Sequence, residues 1–360
     1  MTTTQQPQPS AASTGPTSTE HADETRSSPG LTKEDLIRRW YQMVLARKIG
    51  ERWFVLNRQG KAPFVITGQG HEATQVGTVA ALSAGKDWVV PYYRDLGVAL
   101  ALGMTPDELM LNVFAKADDP NSGGRQMPAH WSHKRLRMVS GSSVVGTQLP
   151  IAAGLAWAAK LQGHDAVAVT YLGEGSTNQG EFHEGLNFAA VQRLPLVVVV
   201  ENNGYAITEI QAKEMAIADV ADRAQAYGVR GAVVDGNDLI EVHRAMQIAV
   251  QAARRGHGPT LLEAKTYRIV PHSSDDDDRR YRTREELDLW RARDPIDRLR
   301  KHLLEARILT SEQADELIAK AAEELRGAEA FAAAAPDPDP ASLATHLYAD
   351  STTPSTSSIP

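Results

Sequence analysis

The strongest constraint on the fold is a set of short, almost entirely apolar segments that alternate with helical patterns along the chain. Residues 166–172 and 194–200 carry no charged side chain and have the length of strands rather than helices. Strands of this composition must be covered on both faces, which is typical of parallel strands in α/β proteins. The sequence therefore predicts an α/β fold in which a mostly parallel sheet has helices on both faces.

The hydrophobic periods of helices and strands predict the other elements of the chain and a single folded domain. Helices are predicted at residues 31–59, 150–162, 180–192, 213–227, 239–253, 284–306 and 311–325, and strands at 87–92, 166–172, 194–200, 231–234 and 260–269. The domain is predicted to span residues 31–331. Residues 1–30 are rich in Thr, Ser, Gln and Pro, so we expect a disordered head there, and we expect a flexible tail at 332–360.

The composition excludes several classes of protein. A net charge of −7 argues against a protein that coats nucleic acid. The chain has no cysteine, which excludes disulfides, thiolate metal sites and a cysteine nucleophile, so a metal must be held by oxygen or histidine. No apolar run approaches the roughly 20 residues of a membrane-spanning helix. We therefore expect a cytoplasmic protein without a membrane or nucleic-acid partner.

Unusual polar segments follow the predicted strands, and this pattern predicts where a ligand binds. The segments are YYRD, GEGSTNQGE, ENNGYAIT, VDGND and PHSSDDDD. In parallel α/β sheets, ligands bind beyond the carboxyl ends of the strands, which share one edge. The five segments therefore point to one edge of one sheet, where a ligand is expected to bind.

Two of these segments have the chemistry of a metal and phosphate site. Gly173 and Gly175 permit a tight turn and close approach of a phosphate, while Glu174 offers the hard oxygen that Mg²⁺ prefers. Asn203 and the carbonyl of Tyr205 follow the next strand and offer further oxygens. Each segment alone fits an ordinary turn equally well, and the metal hypothesis rests on their being brought together.

The order of motifs resembles one family. GEG and NN, separated by residues 176–201, look like the thiamine-diphosphate motif of the transketolase superfamily, with Glu174 in place of the usual Asp. YYRD, GRQMPAHW, GTQLPIAAGLAWAAK, GEGSTNQGEFHEGLNFAA, NNGYAI and YRIVPHSSDDD then resemble, in order, the α subunits of two-chain 2-oxo acid dehydrogenases. The resemblance covers residues 31–304 and implies a thiamine-diphosphate-binding fold.

The resemblance also implies a site. Mg²⁺ would be held by Glu174, Asn203 and the carbonyl of Tyr205. The residues that match cofactor contacts are Tyr93, Arg94, Ser143, Val145, Gly173, Glu174, Gly175, Asn203, Arg268 and His272. A loop that binds K⁺ in some relatives matches Ser142, the Val144 carbonyl, Thr147 and Gln148. Without the resemblance, Arg94 is better explained as half of a structural ion pair.

His272 is the predicted catalytic residue. A histidine in a polar loop is usually a surface residue, but its position after Arg268 resembles the active-site loop of the family. Its ordinary pKa suits proton transfer near neutrality. Pro271 differs from the His found there in many relatives, Ser273 matches a residue phosphorylated in some eukaryotic relatives, and the acidic run 275–278 matches a mobile entrance loop.

The resemblance further implies partners and a reaction. A β subunit would supply the carboxylate that assists the cofactor in an α₂β₂ heterotetramer, and a lipoyl-bearing transacylase component would receive the acyl group. GRQMPAHW and HSSDDD resemble the type that oxidises branched-chain 2-oxo acids more than the pyruvate type, with GGSMH-like and HSMSDP-like segments. Pyruvate and acetoin remain alternative substrates, and a non-catalytic diphosphate-binding scaffold remains an alternative function. A nicotinamide dehydrogenase is disfavoured because GEGSTNQGE lacks the GxGxxG order.

Overall fold

A computed structural model describes residues 30–347. The predicted disordered head therefore lies outside the described residues except for Gly30, and the predicted flexible tail lies outside them from residue 348 onward. The helices are α1 (Lys33–Arg58), α2 (Glu72–Val79), α3 (Leu96–Leu102), α4 (Pro106–Val113), α5 (Gln148–Leu161), α6 (Gly180–Val191), α7 (Gln211–Glu214), α8 (Arg223–Ala226), α9 (Leu239–Arg254), α10 (Arg284–Arg291), α11 (Pro295–Glu305) and α12 (Ser311–Ala334). The strands are β1 (Trp88–Val90), β2 (Ala168–Gly173), β3 (Leu196–Asn202), β4 (Tyr205–Ala206), β5 (Glu209–Ile210), β6 (Arg230–Asp235) and β7 (Thr260–Lys265).

The predicted parallel sheet is confirmed. Its strand order is β1-β2-β3-β7-β6, and every neighbouring pair is parallel. β4 and β5 form a separate antiparallel hairpin. Alternate residues of β3 face different cores, because Val198 packs into the cluster with α5 and α6, and Val199 into the cluster with α9. Helices therefore cover both faces, as expected from strands without a polar face.

Because the strands are parallel, the polar segments that follow them lie at one edge of the sheet. β1 ends at Val90, separated by one residue from the YYRD segment, and β2 ends at Gly173 within the GEG segment. β3 ends at Asn202, and β6 ends at Asp235. The predicted last strand, 260–269, ends earlier, at Lys265. Residues 266–270, which form neither helix nor strand, connect β7 to the 271–278 segment.

The helix predicted at 213–227 is wrong. The chain there forms the end of α7, an irregular stretch, and then a short 3-10 helix, Val220–Asp222, that leads into α8. The buried carboxylate of Glu263 accepts a hydrogen bond from the Ala221 N–H at 2.8 Å, and the Gln211 amide donates to the Ala218 carbonyl at 2.7 Å. These bonds to backbone groups replace helical bonds, so tertiary contacts override the local helical preference.

Other helix boundaries also differ from the prediction. The helix predicted at 284–306 divides into α10 and α11, because Asp294 caps the Ile296 N–H and Pro295 starts a new helix. α12 continues past the predicted end at 325 to Ala334, and so past residue 331, where the domain is predicted to end. Its additional turns bury Ala328 and Ala332.

Helices α2, α3 and α4 have no predicted counterpart. α2 spans eight residues and is buried along its entire length, polar side chains included, so it has no solvent-exposed face of the kind by which a surface helix is identified. α3 and α4 span seven and eight residues, shorter than the window in which such a period is measurable.

The residues after α12 lie against the segment after α4. The Pro336 carbonyl accepts a hydrogen bond from the Ala117 N–H at 3.0 Å, and Asp337 pairs with Lys116 at 2.8 Å.

Of the helices within residues 30–347, none has the length and apolar character needed to cross a membrane.

A buried ion cluster joins α1, α2 and α11. Arg47 pairs with Glu72 at 2.6 Å and with Asp294 at 2.8 Å, and the Glu72 side chain is only 2% exposed. Removing the guanidinium with Arg47→Ala leaves Glu72 buried without its partner, so we expect a loss of about 3–5 kcal/mol in the free energy of unfolding. Urea denaturation followed by circular dichroism measures this change.

The matched control is Arg38→Ala on the same helix, whose exposed pair with Asp35 should change the unfolding free energy by less than about 1 kcal/mol. Equal effects of the two substitutions would contradict the prediction.

Candidate active site

One cavity of about 410 Å³ lies at the carboxyl ends of β1, β2 and β3. Most of the predicted site residues line it together, namely Tyr93, Arg94, Val145, Gly173, Glu174, Gly175, Asn203, Tyr205, Arg268 and His272. They come from five segments spread between Tyr93 and His272. The sheet edge therefore assembles the residues that the sequence places after separate strands.

Glu174 has the environment of a metal ligand. Its side chain is 1% exposed, and its Oε2 accepts a hydrogen bond from the Asn203 N–H at 3.1 Å. Its Oε1 is buried and has no hydrogen-bond partner among residues 30–347. Burial raises the pKa of this carboxyl, and Arg268 and Arg94 oppose that shift. A buried carboxylate oxygen without a donor is costly, and a bound cation removes that cost.

The other predicted metal ligands lie beside it. The Asn203 side-chain oxygen accepts a hydrogen bond from the Tyr205 N–H at 3.2 Å, which stabilises the turn at residues 203–205. Within residues 30–347, no group of three or more His, Cys, Asp or Glu side chains is placed to hold a metal ion. A cation here must therefore take ligands from amide and backbone oxygens and from a bound anion, as Mg²⁺ does beside phosphates.

Two buried guanidinium groups bring positive charge to the same cavity. Arg94 is 2% exposed and donates to the Thr67 carbonyl at 2.9 Å. Arg268 is 1% exposed and donates to the Ile207 carbonyl at 2.7 Å. Within the described chain neither pairs with a carboxylate, and burial, followed by repulsion from Arg94, lowers the pKa of Arg268. Two buried cations without a counter-charge make a site for an anion such as a diphosphate.

A buried acid pair lies behind Arg94. The Glu201 carboxylate accepts a hydrogen bond from the Tyr92 hydroxyl at 2.7 Å and contacts Asp95. Gln75 donates to Glu201 at 3.2 Å and to the Arg94 carbonyl at 3.0 Å. Burial raises the pKa of both carboxyls, so the pair retains a proton. These bonds attach the backbone of Arg94 to the end of β3.

His272 faces the two guanidinium groups. Its Nδ1 lies 3.2 Å from Arg94 Nη2 and 3.4 Å from Arg268 Nη1. Since a guanidinium only donates, Nδ1 is an acceptor, and the ring proton of the neutral imidazole is on Nε2. Burial, followed by Arg94 and Arg268, lowers the pKa of His272 to about 3, and Asp276 opposes that shift. The imidazole is therefore neutral at physiological pH.

The loop around His272 is held by hydrogen bonds. Asp276 accepts from the His272 N–H at 2.7 Å and also from the Tyr281 hydroxyl. Ser273 is buried, and its hydroxyl accepts from the Asp275 N–H at 3.3 Å. Mobility of the acidic run 275–278 remains a prediction.

The predicted K⁺ loop is closed by its own hydrogen bonds. The Ser142 hydroxyl accepts from the Val144 N–H at 3.0 Å, and the Thr147 hydroxyl donates to the Val144 carbonyl at 2.9 Å. Gln148 donates from its amide to the Ser142 carbonyl at 3.1 Å. These residues do form one loop, and its binding of K⁺ remains a prediction.

One predicted cofactor contact lies away from the cavity wall. Ser143 forms a hydrogen bond with His130, while Val145, two residues later, lines the cavity. The contact of Ser143 with a cofactor therefore also remains a prediction.

Two carboxylates near the site have no sequence signal. Glu214 lines the cavity from α7, and burial, followed by Glu174 and Glu209, raises its pKa to about 7. Glu286 on α10 accepts hydrogen bonds from the hydroxyls of Tyr205 at 2.8 Å and Tyr267 at 2.9 Å. Both glutamates lie in ordinary charged helical patterns, so only the folded arrangement identifies them.

His71 also carries no recognisable motif. It is fully buried, and neither ring nitrogen has a hydrogen-bond partner within the described chain. Burial, together with Arg94 and Arg268, holds its pKa well below the usual range for histidine. Its imidazole therefore adds no further positive charge to that of the two guanidinium groups.

Comparison with known proteins gives one family. A family model described as the dehydrogenase E1 component matches residues 41–341. The 2-oxoisovalerate dehydrogenase subunit alpha of Bacillus subtilis is 50% identical over 312 residues, which cover 86% of this chain and 94% of that protein. The pyruvate dehydrogenase E1 component subunit alpha of Staphylococcus aureus is 36% identical over 301 residues, which cover 83% and 78% of the two chains.

A plant relative is matched over a smaller share. The mitochondrial 2-oxoisovalerate dehydrogenase subunit alpha 1 of Arabidopsis thaliana is 38% identical over 266 residues, which cover 74% of this chain and 56% of that protein.

The charge state of His272 is testable without a ligand. Because its folded pKa, about 3, lies below the roughly 6.5 of an unfolded histidine, the native chain binds fewer protons at this residue between these values. Its contribution to stability is therefore lost as the pH falls from 6.5 towards 3. We expect imidazole ¹⁵N shifts of the neutral Nε2–H tautomer at pH 5.

The matched variant is Arg268→Met, which removes one of the two cations and should raise the pKa of His272. A charged imidazolium at pH 6 in the unsubstituted chain would contradict the assignment.

Proposed function

The chain belongs to the dehydrogenase E1 component family, and on that basis we propose that it is the α subunit of a branched-chain 2-oxo acid dehydrogenase. It would catalyse oxidative decarboxylation and pass the acyl group to a lipoyl group. The observation that carries the proposal is the pairing of an unsatisfied buried carboxylate, Glu174, with the unpaired buried cations Arg94 and Arg268 in one cavity. A divalent cation bound to a diphosphate would satisfy both, since the cation pairs with Glu174 and the diphosphate with the two arginines.

The family implies thiamine diphosphate, and the residues of the cavity fit it. Glu174, Asn203 and the Tyr205 carbonyl would hold Mg²⁺, while Arg94 and Arg268 would bind the diphosphate oxygens. Thiamine diphosphate supplies the electron sink for loss of carbon dioxide from the 2-oxo acid. K⁺ at the 142–148 loop is a further proposal, supported only by the residue types and their closed arrangement.

His272 would act on the lipoyl group. An anion bound between Arg94 and Arg268 neutralises two of the charges that lower the pKa of His272. The pKa would then rise towards the range for proton transfer. Since Nδ1 faces the arginines, Nε2–H is the group that remains to donate a hydrogen bond to the lipoyl sulfur, and it can transfer a proton to that sulfur only when the imidazole is first protonated to the imidazolium.

A β subunit completes the proposed enzyme. The α subunit of an E1 component implies such a partner, and we propose an α₂β₂ heterotetramer that delivers its acyl group to a lipoyl-bearing transacylase. α5 and α6 expose Trp157, Leu161 and Val191, and exposed apolar side chains grouped in this way are typical of a subunit interface. The cytoplasmic location remains a prediction.

The branched-chain substrate is favoured over pyruvate by similarity. The B. subtilis 2-oxoisovalerate dehydrogenase subunit is 50% identical to this chain, and the S. aureus pyruvate dehydrogenase subunit is 36% identical. Because the substrate pocket would be shared with a β subunit, the residues of this chain alone do not fix the substrate, and pyruvate and acetoin stay as alternatives. The intact pairing of Glu174 with Asn203 and the place of His272 in the cavity speak against a non-catalytic scaffold.

The proposal is tested by co-expression with a candidate β chain. The purified complex is assayed for decarboxylation with Mg²⁺, thiamine diphosphate and an artificial electron acceptor, using 3-methyl-2-oxobutanoate, 4-methyl-2-oxopentanoate and pyruvate. We expect the branched acids to be preferred. A preference for pyruvate would overturn the substrate, and a cofactor-loaded complex without turnover would favour the scaffold.

The role of His272 has a separate test. His272→Ala should leave thiamine-diphosphate binding intact and reduce acylation of a lipoyl domain by about 10²–10⁴-fold, because a positioned acid or hydrogen-bond donor is lost. Acylation is measured by mass spectrometry of the lipoyl domain. The control is His257→Ala, an exposed histidine that pairs with Arg230. Normal acylation by His272→Ala would exclude the role.

A further inference from the structure

We propose that Glu214 is an outer carboxylate of the divalent-cation position, where it holds a water molecule bound to the cation. This inference rests on the proposed function, since it assumes that Glu174 and Asn203 bind the cation. Glu214 ends α7, directly after the β4–β5 hairpin that begins at Tyr205. The hairpin thus turns the chain back towards the GEG turn, and Glu214 lines the same cavity as Glu174.

Contacts at Gly175 define where the Glu214 carboxylate lies. A methyl group in place of the Gly175 hydrogen would lie 3.3 Å from Glu214 Oε2 and 2.5 Å from the Ala206 side chain. Glu214 Oε2 is therefore packed against the residue that follows Glu174. Glycine at 175 leaves the space in which the two carboxylates face the cavity from neighbouring positions.

Both carboxylates present an oxygen without a donor. Glu174 Oε1 and Glu214 Oε2 are buried atoms with no hydrogen-bond partner within residues 30–347. The groups that act on Glu214 are Glu174 and Glu209, which both repel its charge. The nearby Lys213 pairs instead with Glu209 at 3.2 Å. Within the described chain these two oxygens receive no hydrogen bond, and a hydrated cation would satisfy both.

The chemistry of Mg²⁺ favours the outer position for Glu214. Mg²⁺ takes six oxygen ligands and usually retains water. Glu174, Asn203, the Tyr205 carbonyl and diphosphate oxygens occupy most of these positions in the proposed site, which leaves water to face Glu214. A carboxylate that accepts a hydrogen bond from metal-bound water stabilises it, and loss of such an outer partner typically costs about 10-fold or more in metal affinity.

The experiment measures cation binding rather than turnover. The full chain, co-purified with its β partner, is titrated with Mn²⁺ in saturating thiamine diphosphate, and free Mn²⁺ is followed by electron paramagnetic resonance. Glu214→Gln retains the size of the side chain and removes its charge, so we expect Mn²⁺ affinity to fall by about 10-fold. The melting temperature of the cation-free complex should not fall.

Two further variants make the result specific. Glu209→Gln changes the net charge equally at an exposed side chain that does not line the cavity, so its affinity should match the unsubstituted complex. Glu214→Asp retains the charge and should recover part of the affinity, and it replaces the Gln variant if that variant fails to fold.

Each other outcome overturns the inference. Unchanged affinity in Glu214→Gln, or equal losses in Glu214→Gln and Glu209→Gln, would exclude an outer carboxylate while leaving the proposed function intact. A complex that binds no Mn²⁺ with thiamine diphosphate even without substitution would overturn the metal site of the proposed function, and the role of Glu214 with it.

Discussion

The parallel pairing of β2 with β3 is the interaction on which the rest of the site depends. Its register places Gly173 beside Glu201, so the GEG turn and the ENN turn leave the sheet next to each other. The hydrogen bond from the Asn203 N–H to Glu174 follows directly from that register. A shift of one residue would turn alternate side chains to the opposite face and separate the two turns, which explains why a fully buried pair of strands precedes them.

The cavity holds charges of both signs that form no ion pair within the described chain. Glu174 and Glu214 line it together with Arg94 and Arg268. Unpaired charges are costly inside a protein. A ligand that carries a divalent cation on a diphosphate offers a partner to both kinds of charge at once. The imidazole of His272 is neutral because burial and the two arginines disfavour a third positive charge.

The parts of the fold that could be predicted are those with a local signal. The strands 166–172 and 194–200 were identifiable because burial on both faces demands apolar residues throughout, and the observed β2 and β3 agree within two residues at each end. α2 was not identifiable because it is short and buried on every side, so it has no solvent-exposed face to distinguish it from a loop. The prediction of a helix at 213–227 was wrong because the Ala221 N–H donates its hydrogen bond to Glu263, which is distant in sequence, and not to a carbonyl within a helix.

The sequence by itself determined the class of fold and the edge of the sheet that carries the candidate site, because strand composition and turn chemistry are local properties. Turn chemistry also pointed to Glu174 and Asn203, whereas Arg94 and His272 were indicated only by the resemblance to a family. Only the tertiary structure decided which charges remain without partners and which tautomer His272 adopts, because both depend on groups brought together from distant segments. For the same reason Glu214 and Glu286 became visible only in the folded chain, where an α7 carboxylate lies beside Gly175 and an α10 carboxylate joins Tyr205 to Tyr267.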